Sequence, residues 1–271
     1  MFEMYSLISG SSGNASLVTN GKVHILIDCG TSGRRALELI KQTGISPESL
    51  SAVLVTHEHS DHTKGVGIIA RRLGLPVYAT AGTHNAMDIG RIDDDARVTV
   101  KPGTDLEIGG IGIVPFSIPH DAAEPCGYSF MFENTKLTIA TDIGHITDGL
   151  MDAIRGSQSI ILESNHDVDM LRFGEYPYPL KQRILSDIGH LSNETAAEAA
   201  LELVKSGTEH IMLGHLSDKN NMPEIAKMEV FNKLTDNGVK IDTDVTLQVA
   251  ERYSVTRFSA LDTAGPGISL H

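Results

Sequence analysis

The sequence predicts an α/β fold of two sheets with helices on their outer faces. Two observations lead there. Short runs of Val, Ile and Leu alternate with amphipathic stretches along the chain. Several of those apolar runs end directly in His or Asp.

Taken in order, strands are predicted over 4–8, 16–19, 23–28 and 52–56. A helix is predicted over 34–43, closed by Gly44. Ser46-Pro47-Glu48 reads as a cap and first turn. A second helix, 64–73, follows a histidine cluster and stops at Gly74 and Pro76. Strands follow over 77–79, 97–100, 111–118, 128–133, 136–141 and 160–163. The stretch 165–188 is less regular, and its two X-Pro steps in Tyr176-Pro177-Tyr178-Pro179 favour extended backbone before a helix over 180–188. The clearest helix is 193–206, with an apolar stripe of Ala197, Ala200, Leu201 and Val204 and a cap at Ser192 or Asn193. A strand over 210–213, a helix over 224–237 and a strand near 245–250 complete the pattern.

At 271 residues the chain is near the upper size of one hydrophobic core, so a single domain over 1–271 is expected, with a lid-like segment around 164–190. Apolar residues are 41% and charged residues 21%, which excludes disordered, collagenous and coiled-coil classes. No apolar run reaches the ~18 residues of a membrane span, and the start lacks a basic, then apolar, leader. Two cysteines are too few for a disulfide framework, so a cytoplasmic location is expected. The net charge of −13 repels phosphate backbones, so nucleic-acid binding needs a local basic strip or metal ions.

Histidine is the outlier, at 12 copies. The sharpest motif is Val53-Leu54-Val55-Thr56-His57-Glu58-His59-Ser60-Asp61-His62. His57 and His59 are two apart in extended backbone and can face one side. Asp61 and His62 fall at the turn into the next helix, where they can reach a second point. Such nitrogen and oxygen donors at a strand end suit one or two divalent metals.

This His-x-His-x-Asp-His motif resembles that of the metallo-β-lactamase superfamily of dinuclear hydrolases, whose fold is a four-layer αββα sandwich. The other landmarks of that superfamily occur in order at strand ends: Asp28, His120, Asp142 and His215. The resemblance implies that His57, His59 and His120 hold one metal. It implies Asp61, His62 and His215 on the second, with Asp142 bridging. Asp28 is expected to hydrogen-bond a ligand imidazole and fix its tautomer; the plainer alternative is a turn aspartate. No cysteine stands at a ligand position, so the donor set suits Zn, Mn or Fe alike.

Two further motifs narrow the chemistry. Ser9-Gly10-Ser11-Ser12-Gly13-Asn14 resembles the Gly-Ser-Ser-Gly-Asn loop of phosphodiesterase-like branches, where a loop approaches the metals; alone it also reads as a flexible linker. That loop makes Ser11, Ser12 and Asn14 candidate substrate-binding residues. The stretch from Leu162-Glu163-Ser164-Asn165-His166-Asp167 to Gly189-His190-Leu191-Ser192-Asn193 resembles the YycJ/WalJ subfamily, bacterial metallo-hydrolases described as DNA exonucleases. Its order of residues is also similar to that of transfer-RNA 3′-processing phosphodiesterases. The resemblance implies His190 at the scissile phosphate, supported by Glu163, with both counted as catalytic beside Asp61.

The helix starting at Asn193 is expected to aim N–H groups at an anion. Arg172, Lys181 and Arg183 supply local positive charge that could track a nucleic-acid backbone, or simply a solvated helix face. One echo, Gly189-His190-Leu191-Ser192 and Gly214-His215-Leu216-Ser217, stands out. His24, His84, His210 and His271 have no motif support, and His145 and His166 are equally pocket or packing residues.

The leading expectation is a dinuclear phosphodiesterase acting on DNA, with two metals lowering the pKa of a bridging water. Its 5′ polarity rests on the subfamily resemblance alone. Alternatives are a phosphodiesterase for cyclic phosphates or nucleotides, and a metal-binding regulatory module. A thioesterase or lactamase leaves His190 and Glu163 without a role.

Overall fold

A computed structural model describes residues 2–258, so His271 lies outside it. The first sheet has the order β14-β1-β2-β3-β4-β5-β6. Its strands are β1 (Glu3–Ile8), β2 (Ala15–Thr19), β3 (His24–Ile27), β4 (Leu50–Leu54), β5 (Val77–Thr80), β6 (Arg97–Val100) and β14 (Thr256–Arg257). The second sheet runs β13-β12-β11-β10-β9-β8-β7. It contains β7 (Leu106–Ile108), β8 (Ile111–Ser117), β9 (Cys126–Phe132), β10 (Thr135–Ala140), β11 (Ser159–Glu163), β12 (His210–Gly214) and β13 (Thr246–Val249). Each sheet is part antiparallel and part parallel: β3 to β6 run parallel in the first, and β10 to β13 in the second.

The period of two along each strand divides the core into layers. Ile25 and Ile27 of β3, Ala52 and Leu54 of β4, Ile161 of β11 and Met212 of β12 join one cluster between the sheets. Their neighbours point the other way. Leu26 and Val53 meet α1 (Gly33–Gln42) and α3 (Val66–Leu73) through Ala36, Leu39, Ile40, Val66 and Ile69. Ile160, Leu162, Ile211 and Leu213 meet α5 (Asp148–Ile154), α8 (Asn193–Lys205) and α9 (Pro223–Asp236). The result is the αββα sandwich. Where its strands are parallel their carboxyl ends gather on one rim, the usual place for a site in open α/β sheets.

Several elements depart from the sequence expectation. The helix expected over 64–73 is α3, which starts at Val66; a separate short helix, α2 (Ser60–Thr63), precedes it, with Lys64 and Gly65 between them. There the Gly65 N–H donates to the Cys29 carbonyl at 2.7 Å. The helix expected over 180–188 is α7 (Tyr178–Ile184), with proline in its first turn, where the missing N–H costs no helical bond. Ser192, not Asn193, caps α8, and Leu203 rather than Val204 is its deeply buried apolar residue. α4 (Ala81–Ala86), α5, α6 (Val168–Phe173), β7 and β14 were not expected; six or seven residues are too few to display a helical period.

Candidate metal centre

The site is built from residues that follow strand ends. Asp28 follows β3, His57 follows β4, His120 follows β8, Asp142 follows β10, and His215 follows β12. Three of them, Asp28, Asp142 and His215, have left-handed backbone with φ of 58°, 61° and 56°. This conformation is rare for residues with a Cβ and costs about 1–3 kcal/mol. It turns the chain sharply as it leaves the sheet. The α2 turn supplies Asp61 and His62, and His59 sits at its N-cap. Gly30 lets this turn come close: a Cβ there would lie 1.6 Å from the Asp61 carbonyl oxygen.

The structure brings all seven expected ligands together. His57, His59 and His120 offer three ring nitrogens within 4.8 Å of one another, and Asp61, His62 and His215 form a second such triplet. Asp142 lies between them, with Oδ2 3.3 Å from His62 Nε2 and Oδ1 3.9 Å from His120 Nε2. Asp61 Oδ2 is 3.6 Å from both His62 Nε2 and His215 Nε2. His120 Nε2, His215 Nε2 and Asp142 Oδ2 are buried with no hydrogen-bond partner among the described residues. Orphaned donors and acceptors of this kind are costly inside a protein. Their convergence fits divalent cations as the missing partners.

Electrostatics agrees with the geometry. Burial, reinforced by the surrounding imidazoles, holds His57 well below its ordinary pKa. Burial also opposes charging of His62, yet Asp142, Asp28 and Asp61 push its pKa up to about 9. His215 is likewise raised against burial, chiefly by Asp142. Burial alone would raise the Asp61 and Asp142 pKa values, but the imidazoles hold both low and keep the carboxylates ionised.

A ring of hydrogen bonds orients the imidazoles. Asp28 Oδ2 meets His62 Nδ1 at 2.8 Å, leaving Nε2 toward the centre. Asp28 itself accepts from the Thr56 N–H at 2.9 Å and from the Thr56 hydroxyl at 2.8 Å. His120 Nδ1 lies 3.1 Å from the Gly189 carbonyl oxygen. Glu163, fully buried, meets His190 Nδ1 at 2.9 Å and His215 Nδ1 at 2.8 Å, both through Oε1. Its Oε2 accepts from the Ile143 and Leu191 N–H groups.

The Gly-His-Leu-Ser echo now has a structural meaning. The chain leaving β11 runs between the two copies. Ser164 N–H donates to Gly214, and Ser217 N–H to Asn165, on one side. Asn165 N–H donates to Leu191, and Asn193 N–H to His166, on the other. Each copy thereby presents its imidazole to the same Glu163 oxygen.

Other expected residues take different places. Asn14 is buried and bonds to Gly10 through both ends of its amide, with Nδ2 3.1 Å from His62 Nε2. These bonds shape the loop and set the Asn14 amide beside His62 and Asp61. Ser11 and Ser12 are exposed at the tip of that loop. Lys181 Nζ donates to the carbonyls of Arg172 and Gly174, and Arg183 Nε pairs with Asp121. At the α8 N-terminus Ser192 Oγ accepts from Thr195 N–H, and the Asn193 side chain is buried against Ser164 and Asn221.

Three participants escaped sequence reasoning. Thr56 supports Asp28, the Ser9 hydroxyl accepts from the His215 N–H at 2.8 Å, and Asp121 Oδ1 lies 3.3 Å from His120 Nε2. Thr56 and Asp121 adjoin motif histidines, which is the one signal that points to them. A pocket of about 170 Å³ opens beside His190, lined in part by Ser11, Tyr176, Leu180, Arg183 and Ile184.

The family profile described as a β-lactamase superfamily domain matches residues 24–216, and the chain belongs to that superfamily of metal-dependent hydrolases. Within it, the chain is 43% identical over 256 residues to exodeoxyribonuclease YycJ of Bacillus anthracis, covering 91% of this chain and 97% of that protein. It is 40% identical over 250 residues to exodeoxyribonuclease WalJ of Streptococcus pneumoniae, covering 90% and 93%. These similarities place it in the YycJ/WalJ subfamily. The fold is also that of the metallo-β-lactamase fold protein YhfI of Bacillus subtilis, with a TM-score of 0.68, 17% identity and coverage of 95% and 100%. No described helix is long and apolar enough to cross a membrane.

Proposed function

We propose that the chain is a two-metal phosphodiesterase that degrades DNA from an end. The carrying observation is His190, 20% exposed beside the cluster and held through Nδ1 by the buried Glu163. A lactamase or thioesterase has no use for this pair. The names of the relatives supply the nucleic-acid class.

In this reading His57, His59 and His120 would hold one ion and Asp61, His62 and His215 the other, with Asp142 available to both. The donors are all nitrogen and oxygen, suiting Zn, Mn or Fe. Two divalent ions there would polarise the scissile phosphate and make an attacking water more acidic. The chain's own residues do the rest. Asp28 and Glu163 fix the tautomers of His62 and His215. His190 turns Nε2 outward and gives its proton to the leaving oxygen as the P–O bond breaks. Glu163, at its Nδ1, balances the charge the ring carries. Cys29 and Cys126 are buried and unpaired, which suits a reducing, cytoplasmic setting.

The pairing of Lys181 and Arg183 with protein groups favours one second reading, a small phosphodiester as substrate. The test offers the metal-loaded protein linear DNA labelled at either end, closed circular DNA, and bis(p-nitrophenyl) phosphate. Degradation of linear DNA from one labelled end, with circles spared, is expected. Turnover of the small ester with no cleavage of any polynucleotide would reject the DNA reading.

A further inference from the structure

The geometry points to a subsite for one unpaired nucleoside, on the departing side of the scissile phosphate, in the pocket beside His190. This rests on the phosphodiesterase reading above and specifies which part of the substrate the enzyme grips.

His190 lines this pocket. A group that hands its proton to the leaving oxygen must stand on that oxygen's side of the phosphate. Whatever fills the pocket is therefore part of the fragment that leaves. The volume, about 170 Å³, is well under the roughly 300–1,000 Å³ of pockets for drug-sized ligands. It suits one ring system.

The lining is that of a base site. Tyr176, Leu180 and Ile184 supply an aromatic and two aliphatic side chains. Ser11 and Arg183 supply polar edges. Arg183 is anchored at Nε by Asp121, and its terminal nitrogens have no hydrogen-bond partner among the described residues. Asp121 also offsets the Arg183 charge, so this guanidinium acts by directed hydrogen bonds more than by long-range attraction. The surrounding segment is unusually apolar at its surface. Phe173, Tyr178, Leu185 and Ile188 are four of the nine exposed large hydrophobic residues among those described. A chain with net charge −13 offers little long-range attraction for a phosphate backbone. Base contact is the grip that remains, and aromatic stacking of bases is indifferent to sequence.

Two consequences distinguish this subsite. Each cut frees a single nucleotide, because the pocket has room for one base. The enzyme also depends on a base being present at the departing end. The experiment uses the full, Mn-loaded chain and single-stranded oligonucleotides whose terminal residue is normal or abasic. With the wild-type protein, the abasic end should lower kcat/KM by about 5- to 150-fold, the range that base stacking supplies. Tyr176→Ala should lose a similar factor on normal DNA and no longer distinguish the two ends, and Tyr176→Phe should restore the distinction.

Equal rates on both ends with the wild-type protein, or dinucleotides and longer fragments as first products, overturn the subsite while leaving the DNA reading intact. Turnover of bis(p-nitrophenyl) phosphate without any DNA cleavage removes both.

Discussion

Asp28, Asp142 and His215 are strained; Asp142 and His215 join the ligand clusters, and Asp28 holds the ligand His62. Asp142 touches both ligand triplets, so Asp142→Ala should abolish turnover and lower the metal content measured by elemental analysis. Asp142→Asn should lose metal too. Asn tolerates the left-handed region better than Ala, so the metal-free Asn variant should melt higher; equal melting temperatures would remove the strain argument. His190→Ala should keep its metal and lose about 100- to 10,000-fold in kcat. Loss of metal from that variant would make His190 a ligand instead. The seven clustered residues were legible because each follows an apolar run or falls in one compact histidine motif. Ser9 was not: it reaches His215 only after the chain has folded, and a lone serine in a glycine-rich loop carries no pattern of its own.

The turn between α7 and α8 joins the pocket to the centre. A Cβ on Gly189 would lie 2.2 Å from the Ile184 carbonyl oxygen and 2.3 Å from that of Arg183. Gly189 also offers its own carbonyl to His120. Gly189→Ala must therefore displace the end of α7 or the turn itself. We expect kcat to fall at least about 10-fold on a small phosphodiester, since small misplacements of reacting groups are costly. An unchanged kcat would show that the turn adapts freely. Ser192→Ala removes the α8 cap and should cost about 1 kcal/mol, read as a lower melting temperature. Long elements such as α8 were readable from their stripe. Among the short helices around the site, α7 was expected with other bounds and α6 was missed, because contacts such as those at Gly189 decide where such helices start and stop.

At the scale of the whole molecule, the proposed centre gathers groups from both sheets, and metal bound there would help hold them together. Chelation should lower the melting temperature, and titrating Mn or Zn back should raise it, by about 2.7 kcal/mol of stability at a hundredfold excess over Kd. A melting temperature indifferent to every divalent metal would empty the proposed centre. The acidic surface carries a second expectation. Proteins that neutralise 6–10 phosphates lose about 1,000- to 100,000-fold in affinity between 50 and 200 mM salt. With net charge −13 and two of its three nearby basic side chains engaged, this chain should show a much shallower dependence of kcat/KM. The sandwich was legible because strand periodicity and strand-end motifs agree. The surroundings of Lys181 and Arg183 were not legible, because sequence shows charge but not which protein groups each charged side chain meets.

Because a single oxygen of Glu163 serves both His190 and His215, the two rings are energetically linked. Removing either imidazole frees that oxygen to realign on the survivor. A thermodynamic cycle of the two single variants and the double variant should consequently be strongly non-additive.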